Sequence, residues 1–231
     1  SPARLILWFR INANGIIIMK LGYAALCAAT ALAWTSGPAG ARPISYPGGW
    51  TVMQTNNGDF SSVHAHFSPT FQDSIGLYSE RNWGEDWHFT GIQYNRLVKR
   101  WNETGSQSNL YLKGGLGQAD PFGPDSAEAA GFIGVAADWE TRRWFTSYEV
   151  RAYTLGFDRT VRQAARVGVA PYIGDFGDLH TWLMLEMEAL PESEAPTTLT
   201  PLIRFFYGVQ LIELGYTPET EEYLLNWIVR F

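Results

Sequence analysis

From about residue 49 onward the chain alternates. Runs of roughly 8 to 13 residues carry apolar side chains at every second position, and Gly, Pro, Asn, Asp or Ser separate the runs. Successive side chains of a strand point to opposite faces, so this period of two predicts strands with one greasy and one polar face. The pattern places strands at 49–55, 61–68, 73–82, 86–97, 107–117, 129–139, 142–154, 162–172, 177–188, 199–207, 209–217 and 222–231. The last run shows it most clearly. Tyr223, Leu225, Trp227, Val229 and Phe231 share one face, and Glu222, Asn226 and Arg230 share the other.

A run that ends on Phe after apolar residues at alternate positions resembles the closing strand of bacterial outer-membrane β-barrels. The resemblance implies an all-β fold, a closed antiparallel up-and-down transmembrane barrel of about 12 strands. It also implies that Tyr223, Leu225, Trp227, Val229 and Phe231 form the signal read by the barrel-assembly machinery, with outer-membrane lipid and lipopolysaccharide as surroundings. Twelve is an even number, which returns both ends of the barrel to one side.

The remaining strands can be faced in the same way. Ile133, Val135, Ala137 and Trp139 share a face, as do Trp144, Tyr148, Val150 and Ala152; Ala165, Val167 and Val169; Leu179, Leu183, Leu185 and Met187; and Leu199, Ile203, Phe205 and Tyr207. Trp139, Trp144, Tyr207 and Phe231 then fall near strand ends on one side, where an interfacial aromatic girdle belongs. The first strand is ambiguous. In the fourth, Arg96 and Arg100 face lipid unless a bulge shifts the register near Leu97. The two longest connections, 118–128 and 189–198, are expected on the outer side, with turns such as 173–176 on the periplasmic side.

Charge gathers on the opposite faces. Arg204, Glu213 and Asn226 fall at similar heights on adjacent strands, and Glu149, Arg151, Arg166, Glu186 and Glu188 form a second set; Arg230 joins the same side. Opposite charges across neighbouring strands gain about 0.2–1 kcal/mol each. An Arg or Lys turned to lipid at the midplane costs about 2–4 kcal/mol. The polar faces are therefore assigned to the lumen. A soluble barrel with the faces reversed gives the same alternation. The terminal Phe, the end-placed aromatics and the mixed-sign charges favour the membrane.

Composition narrows the class. The 231 residues include 10 Trp, 11 Tyr and 13 Phe, one Cys and a net charge of −6. Residues 1–18 read as an upstream extension of no structural role. Residues 19–41 read as a signal peptide, with Met19, Lys20, an apolar run to Trp34 and Ala39-Gly40-Ala41 as cleavage site. Residues 42–231 are the barrel domain. The first 41 residues carry Arg4, Arg10 and Lys20 and no acid, so the remainder is more acidic than the whole, which argues against nucleic acid as a partner. Cys27 lies in the segment to be removed, which excludes a disulfide framework.

Candidate chemistry is sparse, and no cofactor is implied. Ser62, His64, His66 and Ser68 share a strand face, and two His at i and i+2 can chelate one metal. Polar lumen lining is the simpler reading, because His180 lies across a lumen on the order of 20 Å wide. Some outer-membrane barrels of this size are lipid-modifying hydrolases, which need a nucleophile, a His and an orienting polar group within reach. No acid falls beside Ser62 and His64. His88 sits among Trp83, Trp87 and Phe89, a setting that suits interface anchors. The stretch 172–182 reads as a tight turn, with a docking site for a periplasmic partner as the alternative. Asp120, Asp125, Glu128, Glu192 and Glu194 make the outer loops acidic. The functional expectation is a narrow pore for small polar solutes or ions; the alternatives are a non-conducting structural or binding barrel and a lipid-modifying enzyme.

Overall fold

A computed structural model describes residues 44–122, 127–175, 177–190 and 196–231. The extension and signal peptide expected at 1–41 lie outside these residues, as do Asp125, Phe176, Glu192 and Glu194. Twelve strands follow one another: β1 (Trp50–Asn56), β2 (Phe60–Phe67), β3 (Asp73–Asn82), β4 (Trp87–Asn102), β5 (Ser106–Pro121), β6 (Glu128–Thr141), β7 (Trp144–Thr154), β8 (Arg159–Val169), β9 (His180–Ala189), β10 (Thr197–Tyr207), β11 (Gln210–Thr217) and β12 (Glu222–Arg230). Every strand pairs antiparallel with its sequence neighbours, and β1 pairs with β12 to close the barrel. At that seam Trp50 N donates to Phe231 O at 2.7 Å and Phe231 N to Trp50 O at 3.0 Å. Closure gives every strand a partner on each side, the condition a sheet must meet in hydrocarbon. The end holding Trp50 and Phe231 is the terminal end here; the other, with hairpins 57–59 and 83–86, is the loop end.

Alternation decides what each face meets. Leu77, Ile92, Leu116, Ile133, Val167, Leu183 and Leu185 point outward and are exposed, Leu116 to 79 %. Their neighbours at every second position point inward and are mostly polar or aromatic. In water an apolar belt of this extent is untenable, whereas in a bilayer it is the wetting surface. Trp139, Trp144 and Tyr207 stand exposed on the same outer wall at the terminal end.

Two backbone features adjust the wall. In β4 the register slips between Leu97 and Lys99, so Val98 has no partner across the ladder. This bulge turns Arg100 inward, where its Nε donates to Asn109 Oδ1 at 2.7 Å. Arg96 stays outside and pairs with Asp73 at 2.7 Å. Higher on the same hairpin, Gly91 faces Gly117. A Cβ on Gly91 would lie 2.3 Å from Leu116 O, and one on Gly117 2.1 Å from Thr90 O, so only glycines allow this approach of β4 to β5.

The connections depart from expectation. Strands β5 and β6 run to Pro121 and from Glu128, leaving 122–127, and β9 to β10 is joined by 190–196. The longest connection is instead 170–179, at the terminal end. Pro171, which has no N–H to give to a ladder, stands two residues beyond the end of β8, after Ala170 has donated to Arg143 O at 2.9 Å. Asp178 N donates to Asp175 O at 3.1 Å and Asp175 N to Asp178 Oδ2 at 2.9 Å. Loop length therefore gives no guide to sidedness in this barrel.

Candidate functional site: the charged lumen

The inward face of β3 carries Tyr78, Glu80 and Asn82, and that of β8 carries Thr160, Arg162, Ala164 and Arg166, because the residues between them fill the outward face. Four strands lie between β3 and β8 one way around the wall and six the other, so they stand nearly opposite. Arg162 nevertheless reaches Glu80, Nη1 to Oε1, at 2.8 Å. The expected separation of walls is too large at this height, since one arginine and one glutamate side chain bridge it. Glu80 is fully buried and also accepts from Tyr78 and, at 2.9 Å, from Tyr153. Arg151 Nη1 lies 3.8 Å from Glu80 and donates to Tyr78 Oη at 2.9 Å.

Around this knot the loop-end half of the lumen is packed like a protein core. Trp87, Phe89, Phe132, Tyr153 and Leu155 cluster there with Tyr78. Arg151 stacks on the Phe132 ring at 4.5 Å and Arg162 on Phe60 at 3.9 Å, cation–π contacts that gain strength once water is excluded. The hairpins above fold over the mouth. Glu85 Oε1 accepts from Thr160 Oγ1 at 3.1 Å, Glu85 Oε2 accepts from Trp87 Nε1 at 2.8 Å, and Asn57 Nδ2 donates to Glu188 Oε2 at 3.1 Å.

A second network lies closer to the terminal end. Glu213 accepts from Arg166 Nη1 at 3.0 Å, from Arg204 Nε at 2.7 Å and from Asn226 Nδ2 at 2.6 Å. Arg166 also binds Glu186 on the neighbouring strand. Between the two networks Glu149 joins Lys113 Nζ at 2.6 Å and Arg151 Nη2 at 3.0 Å. Side-chain exposure rises from 0 % at Glu80 to 32 % at Glu149. A cavity of about 290 Å³ occupies this middle region, with His64, Lys113, Glu149, Arg166, Glu188 and Glu213 among its walls. That is room for about ten waters at the liquid's share of volume.

Glu149, Arg151, Arg166, Glu186, Glu188, Arg204, Glu213, Asn226 and Arg230 all project into the barrel, and all but Arg230 line the cavity. Glu80, Arg162 and Lys113 escaped the sequence reading. Arg162 shares a strand face with Arg166, which was the available signal; nothing in the sequence joined β3 to β8. His64 and His66 also face inward, Nδ1 to Nδ1 at 3.2 Å. No third His, Cys, Asp or Glu joins them into a metal-holding group among the described residues. The charges acting on the pair are those of Arg151, Lys113 and Arg230, which repel a cation. His180 lies at the terminal end against Phe206, at 6.3 Å between ring centroids. On β12, Tyr223 and Leu225 are exposed on the outer wall.

No family model and no curated protein matches the chain. Solved structures with a similar fold include the KdgM porin in complex with disordered oligogalacturonate, at 9 % identity over 79 % of this chain and 98 % of that one, with a TM-score of 0.45. Pseudomonas aeruginosa OccK8 (OprE) is similar at 7 % identity over 77 % and 62 %, TM-score 0.40. The translocator domain of the autotransporter NalP from Neisseria meningitidis is similar at 10 % identity over 94 % and 96 %, TM-score 0.37. No function passes to this chain from likeness at these levels.

Proposed function

We propose that the chain is an outer-membrane barrel that serves as a narrow, side-chain-gated pore for small ions or polar solutes, with the terminal end toward the periplasm. The observation that carries this reading is the cavity in the middle of the lumen. Its walls are mixed-sign charges, and what closes it toward the loop end is side chains rather than a folded plug among the described residues. Side chains rotate on fast timescales when their ion pairs open, so a conduit requires Arg162 to leave Glu80 and the aromatic cluster beside them to shift. Charges lining a pore of this width set which ions pass. Export through a cleaved signal peptide, insertion by the assembly machinery through the Phe231 pattern, and contact with lipopolysaccharide belong to the same proposal.

Conductance of the purified, folded protein in a planar bilayer tests it. Small step currents are expected from the wild type and larger or longer ones from Glu80→Gln. No steps from either protein would overturn the pore. One observation favours a non-conducting barrel instead: the loop-end half, with Trp87, Phe89 and Leu155 at 1 % exposure or less, is as dry as a soluble core.

A further inference from the structure

The outer wall near the loop end carries a polar group that the lumen does not use. Ser79 on β3, His88 and Thr90 on β4 and Asp120 on β5 all point outward, because Tyr78 and Glu80, Trp87 and Phe89, and Ala119 point in. The register sets Thr90 opposite Ser79 and Asp120 opposite His88. Ser79 Oγ lies 3.0 Å from His88 Nε2, Thr90 Oγ1 lies 3.1 Å from the same nitrogen, and His88 Nδ1 lies 3.6 Å from Asp120 Oδ1. The His88 and Asp120 side chains are 36 % and 45 % exposed, so the group is reachable from outside the barrel. Asp120, assigned to a loop by the sequence pattern, is thus part of the wall.

We propose that Ser79, His88 and Asp120 form a nucleophile, general base and orienting acid that hydrolyse the acyl esters of membrane lipids. Nucleophile to base is at hydrogen-bond distance, and base to acid is at the looser separation often seen before substrate binds. The surroundings fit an amphiphile. Toward the barrel middle the same wall presents Leu77, Ile92 and Leu116, which suit acyl chains. Toward the rim stands Arg81, opposite His88, its guanidinium 4.2 Å from the Trp83 ring centroid and 4.1 Å from that of Phe122. That cation meets a lipid phosphate where headgroups lie. An ester is the bond between those two regions. Ionisable side chains on a lipid-facing wall are costly, so their presence there points to a role.

In the reaction Ser79 Oγ attacks the ester carbonyl carbon while its proton passes to His88 Nε2. The C–O bond to the glycerol or sugar oxygen then breaks, and that oxygen takes the proton from His88. Water attacks the acyl-Ser79 ester next, giving its proton to His88 and then to the serine oxygen, which frees the fatty acid and restores the site. The Thr90 hydroxyl, 3.4 Å from Ser79 Oγ, donates to the carbonyl oxygen as it gains charge. Asp120 keeps Nδ1 protonated and the ring in place.

The test uses the full folded barrel in mixed micelles with phosphatidylethanolamine in one arm and lipopolysaccharide in the other, following fatty-acid release by mass spectrometry. Release in at least one arm is expected, and the productive arm identifies the lipid. Ser79→Ala and His88→Ala should each lower it about 10³-fold or more, and Asp120→Asn should lower it while leaving a pH profile shifted from that of the wild type. A long-chain fluorophosphonate should label wild type but not Ser79→Ala. Absence of release and labelling in wild type, or equal release from Ser79→Ala, overturns the proposal. Bilayer conductance is unaffected by Ser79→Ala in either event, so the pore stands or falls separately.

Discussion

Arg162 and Glu80, 82 residues apart, close the barrel from nearly opposite walls with a 2.8 Å contact. The same carboxylate faces Arg151 at 3.8 Å, so one buried anion serves two buried cations. Removing the anion leaves both arginines without it, and breaking such a pair typically costs about 3–5 kcal/mol. Glu80→Gln should therefore destabilise the barrel more than Arg162→Met, which leaves Glu80 its contact with Arg151. Urea unfolding in lipid vesicles measures both.

Glu213 stands between Arg166 and Arg204. Either arginine alone still neutralises it, and losing both strands it. The double variant Arg166→Met, Arg204→Met should cost more than the two single variants added, with a coupling of about 0.5–3 kcal/mol. Additive effects in a double-mutant cycle would show the two contacts to be independent.

At the loop end Asp59 lies between β1 and β2, where burial and then the nearby Glu222 push its carboxyl above the usual carboxylate range, with Arg162 opposing. A carboxyl raised by folding holds its proton more tightly in the folded state. Its favourable contribution is complete below the unfolded value, near pH 4, and is lost as pH rises through the folded one. Asp59→Asn should flatten that part of the stability profile and raise stability at neutral pH. Thermal unfolding from pH 3 to 8 compares the two.

Ile133 is exposed to 73 % midway along β6, between neighbours that face the lumen. If the belt meets hydrocarbon, Ile133→Arg should cost about 2–4 kcal/mol in vesicles. A soluble barrel would lose almost nothing, since the position is already open to solvent. Folding yield into vesicles separates these outcomes.

Much of this architecture is legible from alternation alone, because lipid on one side and charge on the other leave each strand one acceptable orientation. With Arg96 and Arg100 both due to face lipid, a bulge near Leu97 was the available escape; the register does slip there, which turns Arg100 inward while Arg96 stays outside beside Asp73. What stayed hidden depends on contacts between distant strands. Nothing along the chain brings Arg162 to Glu80, and the wide lumen expected for 12 strands was narrowed by the side chains inside it. Ser79, His88 and Asp120 lie on three strands, and only the register aligns them. The turn near 173–176 was drawn too short because 170–172 and 177–179 continue the apolar rhythm without the ladder, Tyr172 donating instead to Leu179 O at 2.6 Å.

The ladder that sets Val52 against Val229 has a kinetic side. A nascent chain holding only the first eleven strands shows two raw edges, each an invitation to the next copy, and contacts spanning almost the whole sequence form slowly. Slowing the arrival of β12 should therefore favour aggregates over inserted protein.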